Sequence, residues 1–142
     1  MTDHPGDALP PETWDALVQE ANRIRTRAHA PYSNFQVGAA LLTESGEIIS
    51  GCNVEIASIG ATTCAERNAI AAAVARGEKT FKALAVSTVN APSAPCGICR
   101  QVLAEFCDAL PILLTNPEGD RVFTTLDELL PMRFSGRDFL ED

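Results

Sequence analysis

Cys64-Ala65-Glu66 and Pro95-Cys96-Gly97-Ile98-Cys99 are the most informative stretches of this chain, because each carries cysteine at the expected start of a helix and the first adds a carboxylate. Helix starts favour anions such as thiolates. Three thiolates are suitable ligands for zinc, and three protein ligands leave the fourth tetrahedral position open. An open position is typical of a catalytic zinc site, whereas a structural site uses all four. We therefore predict one zinc ion per chain, bound by Cys64, Cys96 and Cys99.

Two charged residues follow the first predicted ligand. Glu66 is close enough in sequence to reach a water at the open position, where a carboxylate can accept and deliver protons. Such a general acid–base role typically contributes about 10²–10⁴-fold in rate. The alternative is an ordinary first-turn glutamate that the helix dipole favours. Arg67 is the residue expected to offset the surplus negative charge of three thiolates, whereas Arg100 is expected to be solvated.

The composition indicates one soluble globular domain with a small, neutral ligand. At 142 residues, 46% of them hydrophobic, the chain can bury a core without disulfides. Its formal net charge of −8 disfavours a nucleic-acid partner, which requires a basic surface. The odd number of cysteines, five, favours metal binding or inert burial in a reducing compartment. Since we see neither a signal peptide nor a membrane span, we expect a cytoplasmic protein that does not bind membranes.

Hydrophobic periodicity predicts a single α/β domain over residues 12–142, preceded by a flexible, acidic segment at residues 1–11. The predicted order is α-β-β-α-β-α-β-β-α. The predicted helices cover 12–28, 64–75, 96–107 and 126–130, and the predicted strands cover 37–42, 47–52, 81–88, 111–115 and 121–124. Helices that alternate with the later strands imply three layers, a mixed sheet of about five strands with helices on both faces.

The motifs, taken together and in this order, resemble those of the small, homotetrameric cytidine deaminases that bind zinc through three cysteines. Zinc nucleobase deaminases share a His or Cys, one residue, Glu, and later Pro-Cys-x-x-Cys. The similarity runs from about Glu12 to Asp138 and rests on Ala30–Ala40, Gly51–Glu55, Cys64–Arg67, Pro95–Gln101 and Leu129–Pro131. The resemblance implies hydrolytic deamination of cytidine and deoxycytidine to uridine and deoxyuridine, with release of ammonia, in pyrimidine salvage.

The resemblance also implies which residues contact the substrate. Phe35 would pack against the pyrimidine ring, and the backbone N–H of Ala65 would help to read the base. Asn53 and Glu55 would bind the ribose 3′-hydroxyl. Phe134 would close the pocket of a neighbouring subunit, so that the active sites of a homotetramer are shared. The alternatives are that both phenylalanines belong to the core of their own chain and that Asn53 and Glu55 form a solvated pair.

Three positions depart from the family pattern. Ile56 stands where asparagine is common, Ile59 where an aromatic residue is common, and Ile98 where alanine is usual. These changes leave the metal and proton chemistry untouched. They bear instead on how the 5′ side of the sugar is held, and therefore on the choice between ribonucleosides, deoxyribonucleosides and modified cytidines.

Two other functions compete with this interpretation. One is a deaminase of the same fold that acts on another base or on an aminonucleoside; guanine and tRNA-adenosine deaminases usually carry His at the first motif position. The other is a structural zinc module in which Cys52 supplies a fourth thiolate. That module would leave Glu66 without a role, and the chain has only one Cys-x-x-Cys. The resemblance implies that Cys52 is not a ligand, since the family often carries cysteine there without that role, and Cys107 ends an apolar helix face. Both are expected to be inert, buried thiols.

Overall fold

A mixed five-stranded sheet organises the fold, seen in a computed structural model that describes residues 4–140. The strand order is β2-β1-β3-β4-β5, with β3 and β4 parallel and the other neighbours antiparallel. The strands are β1 Val37–Thr43, β2 Ile48–Cys52, β3 Phe81–Thr88, β4 Pro111–Thr115 and β5 Arg121–Thr125. The α-helices within the described residues are α1 Pro11–Arg25, α2 Ala65–Ala75, α3 Gly97–Phe106 and α4 Leu126–Leu129. The predicted element order is confirmed.

Helices cover both faces of the sheet, which confirms the predicted three layers. Because successive strand residues point to opposite faces, Leu41 of β1 packs in the core beneath α2 and α3, whereas Leu42 packs against α1. The α1 layer buries Trp14 and Leu17 on the sheet. Among residues 4–140, no helix combines the length and the apolar character needed to cross a membrane.

The helix boundaries differ from the predicted ones in a way that matters for the site. Cys64 and Cys96 are the N-cap residues of α2 and α3 rather than their first helical residues. Their backbones are extended, so the cysteines belong to the loops that lead into each helix. Nearer the N-terminus, α1 ends at Arg25 rather than at the predicted residue 28. The N–H groups of Arg27 and Ala28 bond to carbonyl groups three residues earlier, which closes a turn.

The N-terminal segment lies partly outside the described residues, since residues 1–3 are not described, and neither are residues 141 and 142. Pro5–Ala8 form a short 3₁₀ helix. The indole N–H of Trp14 donates to the carbonyl oxygen of Gly6 at 2.9 Å, and the His4 ring meets Phe123 edge-on. The boundary between a flexible segment and the domain at residue 12 stays a prediction.

Two glycines let the helices approach the sheet closely. A Cβ atom on Gly51 of β2 would lie 2.5 Å from the backbone nitrogen of Ala69 and 2.7 Å from the carbonyl oxygen of Ala65. A Cβ atom on Gly38 of β1 would lie 2.1 Å from the carbonyl oxygen of Ala21 in α1. Any larger residue at either position would push a helix away from the sheet. The first turns of α2 are therefore held directly against β2.

Candidate metal and catalytic site

The three predicted zinc ligands come together at the adjacent starts of α2 and α3. The Sγ atoms of Cys64, Cys96 and Cys99 all lie within 4.8 Å of one another, and those of Cys96 and Cys99 are 3.5 Å apart. Zinc–sulfur bonds of ~2.3 Å in a tetrahedron separate sulfur atoms by about 3.8 Å, so the donor set fits zinc. Cys52 does not join this cluster, and the four-thiolate module therefore lacks its fourth ligand.

Arg67 supplies a positive charge beside the thiolates. Its Nη2 atom lies 3.4 Å from the Sγ atom of Cys64 and 3.5 Å from the carbonyl oxygen of Thr62. The pKa of Cys64 is lowered, first by a hydrogen bond from the Cys99 thiol and then by the guanidinium of Arg67. The buried Nε of Arg67 has no hydrogen-bond partner within residues 4–140. The surroundings of Cys64 thus favour the thiolate, which is the form that binds metal.

Glu66 is a buried carboxylate, with 4% of its surface exposed, and it lines a cavity beside Cys64 and Cys96. Burial raises the pKa of its carboxyl group to about 7, and the negative charge of the neighbouring Cys64 adds to the increase. Carboxylic acids whose pKa lies near the working pH are suited to both accepting and donating protons. The surroundings of Glu66 therefore fit a general acid–base role better than that of an ordinary surface glutamate.

A cavity of about 290 Å³ is lined by most of the predicted site residues, although Cys99, Arg67 and Phe134 are not among its lining residues. Its volume is near the lower end of small-molecule sites, which span ~300–1,000 Å³. It is lined by Ser33, Phe35, Val37, Asn53, Glu55, Thr62, Cys64, Ala65, Glu66, Val86, Thr88, Ser93, Ala94 and Cys96. A larger groove of about 640 Å³ lies between α3 and the C-terminal segment, but none of the predicted site residues lines it. We place the site in the smaller cavity, because only that cavity contains thiolates and a buried carboxylate.

Asn53 directly follows β2, and its side chain forms hydrogen bonds with the backbone at the start of β1. Its Oδ1 atom accepts a hydrogen bond from the backbone N–H of Val37, and its Nδ2 atom donates one to the carbonyl oxygen of Phe35, both at 2.8 Å. An asparagine amide carries two N–H donors, so one remains beyond the bond to Phe35. Asn53 is buried rather than solvated, and its side chain holds Phe35 at the cavity wall.

Glu55 forms hydrogen bonds with the loop that precedes β1. Its Oε1 atom accepts hydrogen bonds from the backbone N–H groups of Tyr32 at 3.0 Å and Ser33 at 3.1 Å, and its Oε2 atom accepts one from the Ser33 hydroxyl. The Ser33 hydroxyl is the main cause that lowers the pKa of Glu55. Glu55 is therefore a negatively charged acceptor at the cavity, held at a defined position by the loop.

The two phenylalanines that are predicted to contact the substrate are more exposed than core residues. Phe35 lines the cavity and is 37% exposed, while Phe134 is 63% exposed and contacts Phe139 with ring centroids 5.5 Å apart. Phe134 does not line the cavity of its own chain. The alternative in which both residues belong to the core of their own chain is therefore wrong.

Sequence reasoning missed two polar residues near the site. The expectation that Arg100 is solvated is wrong: its Nε atom donates to the carbonyl oxygen of Pro95 at 2.7 Å, and its Nη1 atom donates to that of Leu129 at 2.8 Å. Asn68 of α2 donates to the carbonyl oxygen of Cys52 at 2.7 Å. The bonds to Leu129 and Cys52 could not be read from the sequence, because they join residues that are 29 and 16 positions apart along the chain.

Comparison with known proteins supports the same family. The family model described as the cytidine and deoxycytidylate deaminase zinc-binding region matches residues 11–114. A cytidine deaminase from Sporosarcina psychrophila is 49% identical over 126 residues, which are 87% of this chain and 93% of that protein. The crystal structure of cytidine deaminase from Burkholderia pseudomallei has a TM-score of 0.82 and 48% identity, covering 84% of this chain and 98% of that one.

A relative whose name gives another substrate has a lower sequence identity to this chain. A blasticidin-S deaminase from Bacillus cereus is 33% identical over 112 residues, 72% of this chain and 79% of that protein. The match of the family model, the shared fold and the cluster of three cysteine thiols agree with one another. This chain therefore belongs to the family of zinc-binding cytidine and deoxycytidylate deaminases.

Proposed function

We propose that this protein is a zinc-dependent cytidine deaminase, which hydrolyses cytidine and deoxycytidine to uridine and deoxyuridine and releases ammonia. The observation that carries the proposal is a buried carboxylate, Glu66, in the same cavity as Cys64 and Cys96, two of the three clustered thiols. A structural zinc site would need no such group. The 49% identity with a protein named cytidine deaminase supports the choice of substrate.

Cys64, Cys96 and Cys99 would hold the zinc ion, which supplies an activated water for attack on ring carbon C4 when it is bound. Glu66 accepts a proton from the attacking water and gives it to ring nitrogen N3. It then takes the second water proton from the hydroxyl on C4 and delivers it to the amino group, which leaves as ammonia as the C4–N bond breaks and the C4 carbonyl forms. A carboxyl group with a pKa near 7 can perform both transfers without a large energetic cost in either direction. Arg67 offsets the negative charge of the thiolates.

The cavity walls would orient the nucleoside for this attack. Phe35 packs against the pyrimidine ring, and the backbone N–H of Ala65 contributes to reading the base. Asn53 and Glu55 bind the ribose 3′-hydroxyl, Asn53 through its second amide N–H and Glu55 through a carboxylate oxygen. Binding the tetrahedral adduct at C4 more tightly than the flat base lowers the barrier.

The homotetramer with shared active sites is part of the proposal. Large apolar side chains near the cavity mouth and at the C-terminal segment are exposed, among them Ile59 at 82% and Phe134 at 63%. Phe134 of one subunit would close the cavity of a neighbour. We also propose that the enzyme acts in the cytoplasm, in pyrimidine salvage, with free nucleosides rather than nucleic acid as substrates. The formal charge of −8 supports the last point, since nucleic acid is also negatively charged.

An aminonucleoside deaminase is the second candidate, favoured by the 33% identity with blasticidin-S deaminase. Purified, zinc-loaded protein distinguishes the two by loss of ultraviolet absorbance and by ammonia release. The substrates to compare are cytidine, deoxycytidine, cytosine, cytidine monophosphate and blasticidin S. We expect the highest kcat/KM with cytidine and deoxycytidine. A higher kcat/KM with blasticidin S would replace the proposal by the second candidate, and activity on none of the five would contradict both.

A further inference from the structure

Two segments of the chain that would contact opposite ends of the substrate meet beside the cavity. Asn53 and Glu55, on the sugar side, flank Val54, while Thr63 directly precedes the segment that carries Glu66. The N–H of Val54 donates to the carbonyl oxygen of Thr63 at 2.9 Å, and the N–H of Thr63 donates back at 3.0 Å. This short bridge joins the segment that carries Asn53 and Glu55 to the loop that leads into α2.

The side chain of Asn68 joins the same two segments from α2. Its Nδ2 atom donates to the carbonyl oxygen of Cys52 at 2.7 Å and lies 3.5 Å from that of Thr63. Cys52 is bonded directly to Asn53, and Thr63 is bonded directly to Cys64. One amide group thus contacts the residue before the proposed sugar ligand and the residue before the proposed zinc ligand.

The close approach of α2 to β2 makes this contact a tight one. Gly51, the residue before Cys52, has no room for a Cβ atom against Ala65 and Ala69 of α2. Consecutive residues of β2 therefore contact the helix, Gly51 by packing and Cys52 through the amide of Asn68. The packing prevents α2 from moving closer to the strand, and the hydrogen bond prevents it from moving away.

We infer that Asn68 is a positioning residue that holds Asn53 and Glu55 in register with Glu66, an inference that rests on the proposed function. Asn68 does not line the cavity, so it would act through the backbone of Cys52 and Thr63. A misplacement of about 1 Å between reacting groups can cost ~10²-fold in rate, so a small shift at this junction has a measurable effect.

Asn68→Ala removes the amide while favouring the helix, because alanine has the higher helix propensity. Its kcat/KM should be measured with cytidine and with 3′-deoxycytidine, which lacks the hydroxyl that Asn53 and Glu55 would bind. We expect a loss of about tenfold or more with cytidine and a much smaller loss with 3′-deoxycytidine, so that the preference for the hydroxyl shrinks. Equal losses with both substrates, or no loss, would overturn the positioning role.

Asn22→Ala is the matched control. Asn22 lies in α1 on the opposite face of the sheet, and its Oδ1 atom accepts a hydrogen bond from the Ser87 hydroxyl at 2.6 Å. The substitution also removes a side-chain hydrogen bond from a helix, but this helix covers the other face of the sheet, and the partner residue Ser87 lies in β3, separated from Cys52 of β2 by β1. We expect it to keep the wild-type preference for cytidine over 3′-deoxycytidine. A preference that shrinks as much in this control as in Asn68→Ala would contradict a specific role for Asn68.

A measurement without substrate keeps this inference separate from the proposed function. Amide hydrogen exchange in the zinc-loaded protein reports on the bridge between Val54 and Thr63 directly. We expect Asn68→Ala to speed exchange at Val54 by about tenfold or more, whereas Asn22→Ala should leave it at the wild-type rate. Wild-type protein that is inactive on cytidine would contradict the proposed function alone. Unchanged exchange at Val54 in Asn68→Ala would overturn the positioning role, whatever the activity.

Discussion

The guanidinium of Arg67 lies 3.4 Å from the Sγ atom of Cys64, which places a positive charge directly beside a proposed zinc ligand. Three thiolates around one dication leave a surplus negative charge, and Arg67 offsets it in the partly buried surroundings of the site. We expect Arg67→Gln to lower kcat/KM for cytidine by about 10–100-fold, the usual effect of losing a residue that supports a metal ligand. Arg67→Lys, which keeps the charge, should lose less. Steady-state kinetics and zinc analysis of both variants check this, and wild-type activity in Arg67→Gln would contradict it.

Glu66 is the residue whose loss should separate proton transfer from metal binding. Glu66→Gln keeps the size of the side chain but removes the group that accepts protons. We expect about one zinc per chain, wild-type thermal stability or higher, and a fall in kcat of at least ~10²-fold. Stability can rise because the substitution removes a buried carboxyl group whose charged form is poorly solvated. The measurements are elemental analysis, thermal unfolding and single-turnover kinetics; near-normal turnover would exclude Glu66 as the proton carrier.

Replacing a cysteine should abolish zinc binding only if that cysteine belongs to the cluster. Cys96→Ala leaves two sulfur ligands, and we expect zinc content to fall well below one per chain at metal concentrations that saturate the wild type. Cys52→Ala is the control, since Cys52 does not belong to the cluster. It should retain zinc and activity. Full zinc occupancy in Cys96→Ala, or loss of zinc in Cys52→Ala, would show that the ligands are assigned wrongly.

Phe134 tests whether subunits share active sites. Phe134→Ala should lower activity, because the cavity of a neighbouring subunit would lose its cover. Mixing this variant with inactive Glu66→Ala chains by co-refolding should rebuild some sites with Glu66 from one subunit and Phe134 from another. We expect activity above the sum of the two separate pools. Light scattering of the wild type checks the oligomeric state, and a monomer, or no recovery despite demonstrated subunit exchange, would rule out the shared site.

Glu20 should make the stability depend on pH in the acidic range. It accepts hydrogen bonds from Arg23 in the same helix at 2.6 Å and from the hydroxyl of Ser50 in β2 at 2.5 Å. The Arg23 bond is the main cause that lowers the pKa of Glu20 below its ordinary value of 4.5. A lowered pKa in the folded state contributes stability above pH 4.5, and this contribution is lost as the pH falls through the folded-state value.

Glu20→Gln should therefore unfold more easily than the wild type at pH 7, by less than about 1 kcal/mol because the pair remains partly exposed to solvent. The difference between the two proteins should shrink as the pH falls below 4.5. Urea unfolding at a series of pH values measures it. A difference that stays constant from pH 7 to pH 3 would show that the effect comes from packing rather than from charge.

Local sequence patterns were sufficient to predict the order of the elements and the chemistry of the motifs. Cys64 and Glu66 are adjacent to the same helix start, and Cys96 and Cys99 share another, so their proximity follows from local geometry. The alternation of helices with the later strands similarly predicted that helices cover both faces of the sheet, and the nearly continuous burial of β1 agrees with it. These features depend on residues a few positions apart, where the periods of helix and strand constrain the chain strongly.

The way the two helix starts meet, and the contacts that hold the cavity walls, depend on the packing of the whole domain. Asn53 contacts the backbone of Phe35 and Val37, Asn68 contacts that of Cys52, and Arg100 reaches Leu129, which is 29 residues away in the chain. A polar side chain can satisfy its hydrogen bonds with many partners or with water, and the sequence carries no period that selects one of them. The choice is made when the sheet and helices pack and exclude water from these groups.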